Sequence, residues 1–404
     1  MSHRGTPPRR LLLPRLDLPA PAPYEDPMRT AIATSDYFVL GETFINRHIE
    51  HIFGGDTVVI AGRHNGQDPY GKPLFVRRAP LSPRDRLSAP FAALTGAALH
   101  GTSRLPFGDN RRHLAEFLRA QKVEAILAEF GTQALVVAKL GNDLGIPVFS
   151  YWRGTDASRA LRSRQRVRSY RLMMPRLAGI FSVSQFLLDN LAAHGVTHPN
   201  AHVVPSGVDV RRFAPAEKVR GSCLAVGRMV EKKAPQVTLR AFSAAAKGRE
   251  AHLTFIGDGP LLEPCRALAT ELGVGDRVTF TGALPHDSVR DHLTRTEIFL
   301  QHSVTAKDGN TEGLPTAIQE ALACGCITLS TRHAGIPEAV EDGVNGLLVD
   351  EWDEAGFAER LGALLDTADR SAMSRAARET AVARFDNAAL IGRVEAVMCD
   401  TVNG

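Results

Sequence analysis

Four short stretches in the second half of this chain combine charged side chains with glycine and proline in ways that suit anion and sugar recognition. In AVGRMVEKKAPQ (225–236), Arg228 and Lys233 follow Gly227 and precede Pro235, a residue suited to the first turn of a helix. Two cations beside a helix N-terminus, itself partly positive, make a site for a diphosphate. In FIGDGPL (255–261), Gly257 and Gly259 let backbone approach a flat ligand closely, although Gly-Asp-Gly also occurs in many turns. In NTEGLPTAIQEALACG (310–325), Pro315 pre-sets a helix start, so the free amides around Gly313, Leu314 and Thr316 can receive phosphate or sugar oxygens. Glu312 is then a loop carboxylate for ligand hydroxyls. Glu320, up the helix, can take both cis hydroxyls of a ribose. The fourth stretch, STRHAGIPEAVEDGVNGLLV (330–349), holds Gly335 and Glu338, and Glu338 reads equally well as an N-terminal helix charge. Any one of these residues alone is more often a surface charge or a turn glycine. Their common place, where predicted strands lead into helices, is what favours a site.

The elements that must position them alternate short apolar strands with amphipathic helices, the pattern of parallel sheets. Candidate strands in the first half are TAIATS (30–35), DTVVIAG (56–62), AILAEF (125–130), PVFSYW (147–152) and GIFSVS (179–184), with helices over 42–53, 110–121, 133–144 and 185–194. AHVVPSGVD (201–209) reads as a last strand ending in a turn. The second half restarts with CLAVG (223–227), AHLTFIG (251–257), RVTFTG (277–282), IFLQHS (298–303), CITLS (326–330) and GLLVD (346–350). The fold class predicted is α/β, with two doubly wound Rossmann-like parallel-sheet domains facing a cleft. The boundaries expected are a Pro/Arg-rich flexible tail over 1–28, one Rossmann-like domain over 29–206, and a second over 207–386. A C-terminal helix over 387–404 is expected to pack back on the first domain. Gly207 is the expected hinge.

At 404 residues the chain is too long for one ordinary core and comfortable for two. No apolar run approaches the ~20 residues of a membrane span, and the LLLP near the start is too short for a signal-peptide core. The expected address is the cytoplasm. Five cysteines, odd in number and without paired spacing, read as reduced thiols rather than a metal site. A net charge of +4 is modest for this length and gives no reason to expect nucleic acid. The positive charge is uneven, however. RGTDASRALRSRQRVRSYRLMMPR (153–176) carries eight arginines against one acid, Asp156. Such a run is either a solvated helix face or a patch for anionic lipid headgroups or a charged acceptor, with Arg153, Asp156, Arg162 and Arg166 as candidates.

Taken together, Gly227-Arg228-x4-Lys233, IGDGP, Glu312-x7-Glu320 with Gly-Leu-Pro, and the GIPE turn resemble the retaining, GT-B-fold glycosyltransferase family 4 (group 1). SVTAKDGNTEGLPTAIQEALACG looks especially like its exopolysaccharide branch, of the colanic acid and amylovoran type. LGETFINRHI (40–49) resembles that family's N-terminal glycine loop and following helix. VPSGVD (204–209) resembles its interdomain turn, usually with Asn where Ser206 stands. The resemblance implies that Arg228 and Lys233 bind the donor diphosphate and Glu320 the ribose. It implies that Glu312, with the amides of Gly313 and Leu314, holds the donor sugar and phosphate, and that Gly41 lets its loop approach phosphate and acceptor. One departure stands out. Where the family commonly has His-Gly-x-Asp, YWRGTDAS places Arg153, which stays protonated and cannot act as a base.

The activity this resemblance implies is retaining transfer of a hexose from a UDP- or GDP-linked donor, with no cofactor and no metal, to a saccharide or lipid-linked saccharide in exopolysaccharide assembly. Catalysis would rest on Glu312, Arg228, Lys233 and Arg153. The enzyme would be peripheral on the inner face of the membrane. Alternatives are an epimerase or phosphorylase on the same fold, or a catalytically impaired sugar-nucleotide-binding protein. The glycine loops lack a clean G-x-G-x-x-G, which argues against a nicotinamide dehydrogenase.

Overall fold

The structure, a computed structural model, describes residues 27–39, 41–77 and 82–404. Most of the tail expected over 1–28 therefore lies outside the described residues. The described chain forms two compact units. One, the N-terminal unit, runs to Gly207 and also takes in Ala306–Leu314 and Asn387–Gly404; the C-terminal unit comprises Val208–Thr305 and Pro315–Asp386.

The N-terminal unit holds a parallel sheet of β1 (Thr30–Tyr37), β2 (Thr57–His64), β3 (Leu74–Val76), β4 (Ala125–Glu129), β5 (Val148–Trp152), β6 (Gly179–Ser182) and β7 (Ala201–Val203). Their order is β3-β2-β1-β4-β5-β6-β7. In the C-terminal unit, β8 (Val219–Val226), β9 (His252–Ile256), β10 (Val278–Phe280), β11 (Thr296–Gln301), β12 (Ile327–Thr331) and β13 (Gly346–Val349) are arranged β10-β9-β8-β11-β12-β13. Both are doubly wound parallel sheets, as the alternating pattern predicted. The order reverses between β1 and β4 in one sheet and between β8 and β11 in the other. Ligands of such sheets bind beyond the strand carboxyl ends at these reversals.

Strands buried on both faces read as unbroken apolar runs rather than alternations. Every residue of β4, AILAE, is buried, which makes its last residue, Glu129, an anomaly. Before the chain leaves the first sheet, the helices beside it are α1 (Thr43–His51), α2 (Pro83–His100), α3 (Gly108–Ala120), α4 (Gly131–Leu144), α5 (Arg164–Met173) and α6 (Gln185–Ala193). The second sheet is flanked by α7 (Pro235–Ala245), α8 (Leu262–Glu271), α9 (His286–Arg295), α10 (Thr316–Ala323), α11 (Glu354–Asp366) and α12 (Ser371–Arg384). Its core packs Phe255, Ile298, Leu300 and Leu329 of the sheet with Leu239 and Phe242 of α7 and Phe357 and Leu361 of α11. Each such burial is worth about 1.5–3 kcal/mol.

The last helix, α13 (Asn387–Asn403), clusters with the N-terminal unit, where Glu395 accepts a hydrogen bond from the Phe53 amide at 2.5 Å. Gly207, where the chain leaves that unit, has φ 72°, and a Cβ there would lie 2.9 Å from Asn387 Cα. Three features were not anticipated from the sequence. The strand β3 is short, and α2 carries no inward apolar stripe. The third is that Ala306–Leu314 groups with the N-terminal unit rather than with the sheet it follows.

Candidate active site

In the C-terminal unit, the loops after β8, β9 and β10 are tied to one another through backbone. Gly227 N donates to Ile256 O at 2.9 Å, Met229 N to Asp258 O at 2.9 Å, and Gly257 N to Gly282 O at 2.8 Å. This closeness requires glycine. A Cβ on Gly257 (φ 147°) would lie 1.9 Å from Gly227 O, and one on Gly259 (φ 149°) would lie 2.6 Å from Met229 O. Both glycines first serve to bring loop to loop. The result holds Gly227, Arg228 and Lys233 around one pocket with Pro235 and Gln301, beside the β8/β11 reversal. Arg228 is exposed, and the Lys233 side chain passes beside Gly227. Ala234 takes φ 38° immediately before Pro235 opens α7, a costly conformation for a residue with a Cβ. A single turn therefore places both cations and the start of α7 together.

The stretch around Pro315 folds as its sequence predicts. Pro315 has φ −60° and caps α10, and Glu320 lies buried on that helix. His286, at the first position of α9, donates from Nε2 to Glu320 Oε1 at 2.9 Å, and the His286 ring packs 5.2 Å from that of Phe213. Nothing in the sequence separation of 286 and 320 pointed to this pair.

In the N-terminal unit the other candidates gather around the end of β5. Arg153 is buried. Its Nε donates to Glu129 Oε2 at 2.9 Å, Nη2 lies 2.8 Å from the same oxygen, and Nη1 donates to Ser206 Oγ at 2.9 Å. The guanidinium lies 4.0 Å from the ring centroids of both Phe44 and Tyr151, a doubly stacked cation. On its other oxygen Glu129 meets His48 Nδ1 at 2.5 Å. Burial pushes the Glu129 carboxyl up, yet Arg153 and His48 together outweigh it and leave the pKa lowered. Burial lowers the His48 pKa, against the pull of Glu129. A neutral imidazole donating from Nδ1 to an ionised Glu129 satisfies both. The two positions noted as departures from the family pattern, Arg153 and Ser206, are bonded to each other.

Asp156 is also buried. Its carboxylate accepts from the amides of Gly131 at 2.9 Å, Arg153 at 3.2 Å and Gly154 at 3.1 Å. Burial still raises its pKa despite these bonds. It fixes the turn that presents Arg153 to the neighbouring loop, Ala306–Leu314. Gly313 fits against this turn because it lacks a Cβ; one would lie 2.2 Å from Arg153 O. Thr155 donates to Asn310 Oδ1 at 3.1 Å, and Arg159 pairs with Asp308 at 3.0 Å. Arg162 donates to Lys307 O at 2.8 Å, so this arginine holds the loop. The structure thus brings Arg153, Gly154 and Asp156 together with buried Glu312 and Gly313. Arg166 stands apart, its guanidinium 5.8 Å from the Tyr170 ring centroid. Gly41 is exposed, with open space where a Cβ would stand, so the fold itself does not demand glycine there. Glu129 and His48 were missed. The available signal was a carboxylate ending an otherwise apolar buried strand. No group of three or more potential metal-ligating His, Cys, Asp or Glu side chains occurs among the described residues.

Two family models match the chain, "Glycosyl transferase 4-like domain" over residues 54–207 and "Glycosyl transferases group 1" over residues 212–380. The chain is 31% identical over 268 residues to the putative colanic acid biosynthesis glycosyltransferase WcaL of Escherichia coli, covering 64% of this chain and 66% of that protein. It is 30% identical over 283 residues to the same-named protein of Salmonella typhimurium, covering 67% and 69%. In fold it is similar to Anabaena HepE crystallised with UDP, with a TM-score of 0.74 and 15% identity, over 92% of this chain and 100% of that one. With two doubly wound sheets, a glycine-stitched cation loop and matches along both halves, this chain belongs to the group 1 glycosyltransferases of GT-B fold.

Proposed function

We propose that the chain is a retaining hexosyltransferase of exopolysaccharide biosynthesis that uses a nucleotide diphosphate donor, UDP- or GDP-linked, and a hydroxyl of a lipid-linked saccharide. The observation that carries this reading is the loop Gly227–Lys233, which sets Arg228 and Lys233 beside the β8/β11 reversal and the start of α7. Loss of the donor's diphosphate is the step that needs charge stabilisation. Two cations and helix-start amides supply it, and in this reading they do so without a metal. Glu320 binds the ribose, and Glu312 with the amides of Gly313 and Leu314 holds the sugar and phosphate. No side chain in the candidate site is assigned as a nucleophile. The acceptor hydroxyl attacks the same face that the phosphate leaves, and the departing phosphate takes its proton. The curated relatives named for colanic acid and amylovoran biosynthesis support the pathway, and neighbours crystallised with UDP and UDP-glucose support the donor class.

A screen of UDP-, GDP- and ADP-sugars by thermal shift tests the donor, since binding to the folded state raises Tm with affinity. Proton NMR of the first product then reads the anomer. Inversion, or donor turnover without an acceptor to give an epimer, overturns the reading.

A further inference from the structure

Strand β11 ends as β4 does: buried Ile298, Phe299 and Leu300 are followed by a buried polar side chain, Gln301. Gln301 is 4% exposed, whereas residues of its type lie mostly at the surface. Its backbone is fixed from both sides. Toward β12, Ser330 Oγ donates to Gln301 O at 2.6 Å, and Thr331 Oγ1 donates to Ser303 O at 2.6 Å. On the other side the Val304 amide donates to Lys232 O at 2.9 Å, one residue before Lys233. The chain from Gln301 to Val304 is thus a strut between the sheet and the turn that carries the two cations. Gln301 itself lines the pocket of Arg228 and Lys233.

The amide of Gln301 is half satisfied. Nε2 donates to Ser303 Oγ at 2.9 Å, and Oε1 has no hydrogen-bond partner among the described residues. A buried polar atom in that condition bears its full desolvation cost, and it marks a place where a further partner belongs. Ser303 is buried too, and a hydroxyl both donates and accepts, so it can hold either end of the amide. With Ser303 Oγ donating to the carbonyl end, the NH2 becomes a donor for the pocket. Arg228 and Lys233 draw an anion to that pocket. Beside an anion the NH2 is attracted and a carbonyl oxygen is repelled. A neutral amide also tolerates this depth better than a third cation would, because it carries no net charge to desolvate.

We infer that Gln301 is a ligand-contacting residue of this pocket, its NH2 donating to a phosphate oxygen of the bound diphosphate while Ser303 holds the carbonyl end. The inference rests on the diphosphate reading of the pocket given above, and adds a contact that recognises the ligand by hydrogen bonding rather than by charge. Its test is calorimetric binding of UDP, GDP and inorganic pyrophosphate to the full chain. Wild type is compared with Gln301→Met and Gln301→Glu, with Arg228→Ala as control. Gln301→Met keeps the side-chain length and removes the amide, and should bind pyrophosphate and the preferred nucleotide about ten-fold more weakly. Gln301→Glu keeps the shape but sets an anion against the phosphates, and should weaken binding at least another ten-fold. In the 1H–15N spectrum, the side-chain amide pair that Gln301→Met lacks should shift when pyrophosphate is added to wild type. A purely structural role would instead lower the urea midpoint of Gln301→Met and leave its affinities unchanged. Wild-type affinities in Gln301→Met, with binding lost in Arg228→Ala, overturn the inference and leave the diphosphate reading standing. Weaker nucleotide binding with unchanged pyrophosphate binding overturns it as well, because the amide then meets a sugar or a base. Failure of wild type to bind any of the three overturns the diphosphate reading, and this inference with it. If Gln301→Met does not fold, the isosteric Gln301→Glu decides by the same comparison.

Discussion

At the scale of residues, the candidate residues of the two units carry two kinds of charge. Arg228 is exposed and stands with Lys233 on one pocket, whereas Arg153 is stacked between two rings and bonded to Glu129 and Ser206. The first kind suits a ligand's phosphates. Arg228→Ala and Lys233→Ala should each lower kcat/KM more than ten-fold, since a charge-assisted contact is worth about 1.5–3 kcal/mol; unchanged kinetics in both would remove the diphosphate assignment. Glu320→Ala should raise donor KM. For Arg153, removing its partner is the informative change. Glu129→Gln leaves a buried guanidinium with a neutral neighbour and should cost about 3 kcal/mol in urea unfolding, while Glu129→Gln/Arg153→Met should recover much of that loss. Additive costs in the double variant would mean that the pair is not coupled.

At the scale of elements, the three glycine-linked loops act as a unit. Gly257→Ala places a Cβ at φ 147° and 1.9 Å from Gly227 O. We expect it to push the Gly227–Lys233 loop away and to abolish the donor-induced Tm shift, at a stability cost of about 1–3 kcal/mol. By contrast Gly41→Ala meets nothing within 4 Å and should leave stability unchanged, so any loss of activity there reports a ligand contact. Strands and most helices were legible because burial imposes periodicity. Helix α2 was not, since Pro90 falls inside it and alanines on every side blur the stripe of its larger apolar residues.

At the scale of the whole molecule, each unit carries its own sheet, so unfolding need not be two-state. The two tryptophans fall one to each unit, Trp152 buried and Trp352 exposed. A Trp352→Phe variant therefore reports the N-terminal unit by fluorescence. Hydrogen exchange with and without UDP-sugar should show added protection mainly over the loops after β8 and β9; protection confined to the N-terminal unit would contradict the donor assignment. The C-terminal unit also has a built-in pH response. Burial lowers the pKa of His302 to about 4, against the pull of Asp353 and Glu351. The unfolded chain, with a histidine pKa of ~6.5, binds the proton first. The stability that neutral His302 contributes is thus complete above pH ~6.5 and is lost as pH falls toward 4, by about 3 kcal/mol. Urea midpoints between pH 4 and 7 should show this slope, and His302→Gln should flatten it.

The sequence by itself determined the α/β class, the positions of most strands and the loops that carry Arg228, Lys233, Glu312 and Glu320. Periodicity and Gly/Pro punctuation are local, and the chemistry of those loops lies in residues a few positions apart. Only the tertiary structure decided which distant side chains meet. Glu129 joins His48 to Arg153, His286 reaches Glu320, Asp156 is taken by backbone amides, and Ala306–Leu314 lies with the N-terminal unit. Those pairings depend on sheet order and on the crossings between strands, which bring together residues separated by tens of positions and leave no mark in the local pattern.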